Sequence, residues 1–279
     1  MSDAATPATE LPPPAPEASP VVALRNVAVA FDGPPVFEDV SFSVAPGETR
    51  ILLGPAGVGK SILLKLIIGL LRPLEGSVEL FGEDISKMPE EKLFALRARA
   101  GMVFQEGALF DSLTVRDNVG YQLIQESVPD EEIDARVHDA LRFVGLEQTF
   151  ALQPSSLSGG MRRRVAIARA LINQPELILY DSPTGGLDPV TCETIIELIV
   201  KQRDVRATPS LLVTHRLQDA FTLCTHTFSS EQGRMVPLPE GQTNHNTTFL
   251  MLNEGHLIFD GSLHELVHSK DAFVREFLE

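Results

Sequence analysis

Hydrophobic positions follow two rhythms along the 279-residue chain. Short β-type runs at Val22–Phe31, Phe37–Val44 and Thr49–Leu53 come first, separated by the turn signals Asp32-Gly33-Pro34 and Pro46-Gly47, and predict a small antiparallel lead-in. After Gly59 the segment Lys60–Leu71 reads as a helix, so strand, glycine-rich loop and helix open an α/β core. Helical spacing prevails from about residue 88 to 165. There Pro89–Arg99 begins with proline and two glutamates, and Pro129–Val144 carries Ile133, Val137, Leu141 and Val144 on one face, which predicts a helical insert. Strand–helix alternation then resumes with Glu176–Tyr180, Pro189–Arg203, Ser210–Val213 and Arg216–Leu223. Ser229–Thr247 is polar and turn-rich and reads as a surface excursion, with a regulatory or partner contact as the alternative. Thr248–Leu252 and His256–Phe259 form a hairpin-like pair around Asn253-Glu254-Gly255.

Composition sharpens this picture at the N-terminus. Residues 1–20 hold 6 of the 20 prolines (Pro7, Pro12, Pro13, Pro14, Pro16 and Pro20) among Ala, Thr and Glu, too little apolar surface to offset chain entropy, so a disordered tail is expected. The rest of the chain, residues 21–279, is long enough for one large domain or two small ones, and 43% hydrophobic residues overall suffice for a real core. With 23 Lys+Arg against 38 Asp+Glu the formal net charge is −15, which leaves no broad basic field for a phosphate backbone; nucleic acid is not an expected partner. No run approaches the roughly 18 apolar residues of a spanning helix, since Ile62–Leu71 is short and interrupted by Lys65. A secretory signal lacks both its charged and its hydrophobic part, so the cytosol is the expected compartment. Cys192 and Cys224 stand alone and are expected to be reduced, structural thiols.

The chemistry begins at Gly54-Pro55-Ala56-Gly57-Val58-Gly59-Lys60-Ser61, which fits G-x-x-x-x-G-K-[ST] between an apolar strand and a helix. Polyphosphate needs several donors at once, and glycines let successive N–H groups and the helix start face the anion. Lys60 would add a point charge on the outer phosphates, Ser61 would ligate Mg²⁺, and Ile62 continues the site into the helix. Leu177-Ile178-Leu179-Tyr180-Asp181 ends an apolar strand on the carboxylate such a site uses for Mg²⁺; a turn cap is the alternative role for Asp181.

Leu157-Ser158-Gly159-Gly160-Met161, followed by Arg162-Arg163-Arg164-Val165-Ala166-Ile167-Ala168-Arg169-Ala170-Leu171, resembles the signature of the ATP-binding subunits of ABC transporters. Ser158, Gly159 and Gly160 at a helix start make a second anion site. In that family it faces the γ-phosphate held by the P-loop of a second ATPase subunit, identical or not. Arg162–Arg164 read as helix surface. The resemblance covers about residues 22–278 and implies a P-loop NTPase core, a RecA-like parallel sheet, with an antiparallel β lead-in and a helical insert carrying the signature. It also implies ATP and Mg²⁺ as cofactors, and further site residues: Phe31 against adenine, Gln105 of Met102-Val103-Phe104-Gln105 at Mg²⁺, Asp188 of Gly186-Leu187-Asp188-Pro189 at the dimer interface, and His215 at the γ-phosphate. An integral membrane permease is the implied partner, at the cytoplasmic face of the membrane. Gln105–Val119 and the ending Asp271–Leu278 look similar to the lipid-transport ATPases of the maintenance-of-lipid-asymmetry and mammalian-cell-entry type.

At one position the chain departs from that pattern. Active members follow the strand-end aspartate with a glutamate general base, and here the residue is Ser182, whose hydroxyl cannot take the proton near neutral pH. General-base catalysis is worth about 10²–10⁴ in rate, so weak hydrolysis with intact binding is expected at this site. A competent partner subunit, a substitute carboxylate such as Glu106, or a role satisfied by slow turnover would each accommodate the change. The rival reading is a non-transport ABC ATPase or an ATP-sensing regulatory subunit.

Overall fold

Three apolar runs in the sequence become strands that are buried along their whole length, and these set the centre of the fold. The computed structural model describes residues 19–31 and 33–279. The chain runs through β1 (Val22–Ala30), β2 (Pro35–Val44), β3 (Thr49–Leu53), α1 (Lys60–Ile67), β4 (Glu75–Leu80), β5 (Glu83–Asp84), α2 (Glu90–Arg97) and β6 (Ala100–Val103). It continues through α3 (Val115–Val119), α4 (Tyr121–Gln125), α5 (Asp130–Phe143), α6 (Gly159–Leu171), β7 (Leu177–Asp181), α7 (Pro189–Arg206), β8 (Ser210–Val213) and α8 (Leu217–Thr225). The last elements are β9 (His226–Ser229), β10 (Arg234–Pro237), β11 (Thr247–Asn253), β12 (His256–Gly261), α9 (Leu263–Val267) and α10 (Ala272–Leu278).

The main sheet has the order β12-β11-β3-β8-β7-β6. Its strands β11, β3, β8, β7 and β6 are parallel, and β12 closes one edge antiparallel to β11. Strands buried on both faces need apolar side chains at consecutive positions, and β3, β7 and β8 supply them. Alternation then divides the core in two. Ile51, Leu53, Ile178, Tyr180 and Leu212 pack towards α5, α6, α7 and α8, whereas Leu52, Leu177, Leu179, Leu211 and Val213 pack towards α1, α2 and the second sheet. That second sheet, β2-β1-β4-β5, is wholly antiparallel.

Several expectations are corrected. Thr49–Leu53 belongs to the parallel sheet, not the lead-in, and β4 and β5 complete the antiparallel sheet in its place. The helix expected to reach Leu71 stops at Ile67, because the chain turns through Gly69 at φ +65°, where Leu93 of α2 presses against it. The expected helical span 88–165 is interrupted by β6, which pairs with β7, while Leu93 and Leu96 of α2 join the core under α1. A four-residue strand, Ala-Gly-Met-Val, is too short to show a period of its own.

The excursion expected at 229–247 begins as a packed hairpin of β9 and β10. Asp204 of α7 accepts hydrogen bonds from Thr227 Oγ1 (2.9 Å) and Phe228 N (2.7 Å), and Arg203 Nη2 donates to His226 O (2.8 Å). Cys192 and Cys224 are buried free thiols, as expected. The proline-rich tail lies outside the described residues except for Ser19 and Pro20, as does Asp32 of the first turn signal. Among the described residues no helix is long and apolar enough to cross a membrane.

Candidate functional site

Four neighbouring strands of the main sheet, β3, β8, β7 and β6, end on the same side, and the residues that follow them meet there. Loops beyond the carboxyl ends of parallel strands are where open α/β sheets hold ligands. From β3 the chain enters the glycine-rich loop and then α1, whose start is capped by Gly59 at φ +93°. A Cβ at Gly59 would stand 2.7 Å from Val36 Cγ1 and 2.8 Å from Phe37 Cζ, so both the backbone angle and the space require glycine.

Lys60 is buried, and its Nζ donates to the carbonyls of Gly54 (2.7 Å) and Pro55 (2.6 Å), which holds the ammonium inside the curl of the loop. Burial pushes its pKa below the ordinary lysine value, and the charge of Asp181 offsets part of that. Ser61 Oγ donates to Asp181 Oδ1 at 2.9 Å. Asp181 is therefore tied to the first turn of α1, and the turn-cap alternative is not what its side chain does. A hydroxyl and a carboxylate side by side are hard oxygen donors of the kind Mg²⁺ takes, and the loop's N–H groups suit a polyphosphate, so these residues fit Mg²⁺ and ATP.

One cavity gathers Ala56, Gly57, Gly59, Lys60, Ser61, Ile62, Gln105, Ser182, Val213 and His215. Gln105 comes from just beyond β6, Ser182 from the end of β7 and His215 from beyond β8, and no local pattern in the sequence announces that they meet. Ser182 has a left-handed backbone (φ +45°); its N–H donates to Val213 O (2.9 Å) and its carbonyl accepts from Gly185 N (2.9 Å). Glu106 is exposed outside this cavity, close enough to Arg163 for its charge to act on that guanidinium.

The remaining expected site residues lie elsewhere. Phe31 is 55% exposed at the end of β1. Ser158 caps α6, accepting from Met161 N (3.2 Å), and Asp188 caps α7, accepting from Thr191 N (3.0 Å) and Thr191 Oγ1 (2.5 Å). These bonds from Thr191 hold the Asp188 carboxyl below its usual pKa. The two helix starts abut: a Cβ on Gly160 would come within 2.4 Å of Thr191 Cγ2. Ser158, Gly159, Gly160 and Asp188 are thus one neighbourhood, separate from the lining of the P-loop cavity.

Arg163 is not the helix surface its sequence suggests. It is 5% exposed, and its Nη1 donates to Phe104 O (2.8 Å) and its Nη2 to Gly185 O (3.3 Å), joining the Gln105 loop to the loop after Ser182. Burial lowers its pKa, and Glu106 and Asp181 counteract that. Its neighbours bind backbone as well: Arg162 the carbonyl of Leu157, Arg164 that of Val144, and Arg169 those of Gly107 and Ala108. The overlooked signal is helical spacing, since Arg163 shares a stripe with the buried Ala166 and Ile167 at i+3 and i+4.

A family model described as ABC transporter matches residues 37–185, a span that runs from β2 through the P-loop and signature to the loop after Ser182. The chain belongs to the ABC transporter family. Its members' ATPase chemistry and cofactors, ATP and Mg²⁺, fit the donor set described above. The "Probable ribonucleotide transport ATP-binding protein mkl" of Mycobacterium leprae is 35% identical over 92% of this chain and 68% of its own length. The "Intermembrane phospholipid transport system ATP-binding protein MlaF" of Escherichia coli K12 is 32% identical over 93% of this chain and 88% of its own length. This ABC ATPase therefore spans about two thirds of the mycobacterial relative and most of MlaF. Among solved structures, the dimeric ATP-binding cassette MJ0796 in a post-hydrolysis state with ADP and Pi superposes with a TM-score of 0.73 at 29% identity, covering 87% of this chain and 98% of that one.

Proposed function

We propose that this chain is the ATP-binding subunit of a membrane transport system that moves a lipid, bound peripherally to an integral permease at the cytoplasmic face. The observation that carries the reading is the separation of two anion-receptive helix starts, one lining a cavity with Lys60, Ser61, Gln105 and His215, where Ser61 bonds Asp181, and the other, at Ser158–Gly160, outside that lining. Neither is complete alone, which fits a head-to-tail dimer in which each P-loop meets the other subunit's signature. The lipid cargo is favoured by the likeness to MlaF, which extends along nearly the full chain.

In this arrangement the P-loop backbone and Lys60 would bind the phosphates, Ser61 and Asp181 would hold Mg²⁺ with Gln105 as a further oxygen donor, and His215 would meet the γ-phosphate. Phe31 serves the adenine, and Asp188 lies at the subunit contact. Mg²⁺, when bound, neutralises charge on the phosphates. Ser182 leaves the attacking water without the usual carboxylate, and Glu106 is exposed outside the lining of this cavity. That observation favours a second reading of the same site, an ATP-held switch whose hydrolysis is slow.

Affinity purification of the full chain from membranes of its own host is the test. An integral membrane protein should co-elute and carry phospholipid detectable by mass spectrometry, and it should raise ATP turnover. A soluble partner, or a permease loaded with a nucleotide or amino acid, overturns the lipid-transport reading.

A further inference from the structure

Two loops reach the cavity from adjacent strands, Ser182–Leu187 after β7 and Thr214–Arg216 after β8, and one buried carboxylate joins them. Asp219, in the first turn of α8, is 4% exposed. Its Oδ2 accepts the hydroxyl hydrogen bond of Thr184, a residue buried to 1% exposure two positions beyond Ser182. The same Oδ2 lies 3.2 Å from Arg216 Nε, next to His215. The latter is a charge contact only: Arg216 Nε is buried and makes no hydrogen bond.

Among the described residues no other side chain hydrogen-bonds or ion-pairs across these two loops. Arg163 holds Gly185 from the helical side, while Thr214 Oγ1 accepts from Arg216 N within its own loop. A buried carboxylate is costly unless it is paired and hydrogen-bonded, and here both partners sit beside cavity residues. Each loop also has a floor in the sheet, because Ser182 N donates to Val213 O and Thr214 N to Leu52 O (3.2 Å). These backbone bonds fix the roots of the loops. Asp219 fixes their spacing further out.

We infer that Asp219 and Thr184 are positioning residues for ATP hydrolysis, setting Ser182 and His215 at a fixed separation across the γ-phosphate end of the cavity. The inference rests on the reading of this cavity as the ATP site. Among the described residues the pair makes no hydrogen bond to Lys60, Ser61 or the P-loop backbone, so it governs the chemical step and leaves nucleotide affinity alone. A misplacement of about 1 Å is enough to cost roughly 10²-fold in a positioned reaction.

Single-turnover hydrolysis of Mg·ATP by excess full-length chain, beside equilibrium binding of a fluorescent ATP analogue, tests this. Thr184→Val keeps the volume and removes the hydroxyl; it should slow turnover about tenfold or more with affinity within twofold, and Thr184→Ser should restore the rate. Asp219→Ala should slow turnover similarly, and the double variant should be no slower than the worse single one, because both break the same link. If wild-type turnover falls below detection, the series is read in the Ser182→Glu background. Loss of analogue binding by wild type would instead refute the ATP site itself, a separate failure. Rates that fall only with the unfolded fraction, additive effects, or equal losses of affinity and rate overturn the inference; so does an unchanged rate in Thr184→Val.

Discussion

The P-loop at 54–61 and the signature at 158–160 are both glycine-rich starts of helices, yet the fold treats them differently. The first is enclosed by the ends of four parallel strands, and its lysine and serine are already engaged, by Gly54, Pro55 and Asp181. The second ends on an open surface, where Ser158 caps only its own helix and Gly160 rests on Thr191 of the neighbouring α7. A helix start becomes a working anion site when other chain segments supply charge and metal donors around it. Among the described residues the signature lacks these, and the P-loop of a second ATPase subunit, identical or not, would be the natural source.

The largest expected effect tests whether the enclosed site is short of a base. Ser182→Glu should raise turnover by about 10²–10⁴ in a steady-state phosphate-release assay. Wild type already at that variant's rate would show that Ser182 does not limit hydrolysis. Next, Lys60→Ala should lower ATP affinity on the order of 10²-fold in equilibrium titration, from the loss of a charged donor at the phosphates; normal binding would refute the P-loop assignment.

On the open side, Gly160→Ala should leave ATP affinity within twofold. It should abolish ATP-induced dimerisation in light scattering, since the new methyl forces Thr191 to shift, and reduce stability by about 1–3 kcal/mol of overpacking. An equal loss of ATP affinity would erase the distinction between the two helix starts.

The smallest effect is in pH. Burial holds the pKa of Lys60 below its ordinary 10.5, so its charged form is disfavoured in the folded chain. As pH rises through that lowered value towards 10.5, the empty protein should gain stability in thermal melts, because the folded lysine sheds its proton before the unfolded one does. Over the same window ATP affinity should fall a few-fold, because the phosphates need the ammonium. Lys60→Ala should remove both trends; their persistence would place the titration elsewhere.

Much of the fold was legible because burial on both faces forces continuous apolar runs: β3 and β8 stand at their expected residues, and β7 is displaced by only one. The P-loop was legible for a related reason, since its glycines, lysine and serine act within eight consecutive residues. What stayed hidden depends on distant segments. Ala100–Val103 has no pattern until β7 lies beside it, and although helical spacing puts Arg163 on the buried stripe of α6, its partners, the carbonyls of Phe104 and Gly185, come from distant segments.

By itself, then, the sequence determined the two helix-start motifs and the strand ending on Asp181, because each is local chemistry written in adjacent residues, and set beside the family it resembles it showed Ser182 where a carboxylate is usual. Only the tertiary structure decided that Gln105, Ser182 and His215 line one cavity, that Glu106 stays outside it, and that Asp219 links the loops on either side of it. Those relations are set by which strands pair and how closely their loops pack, and such long-range contacts leave no periodic trace along the chain.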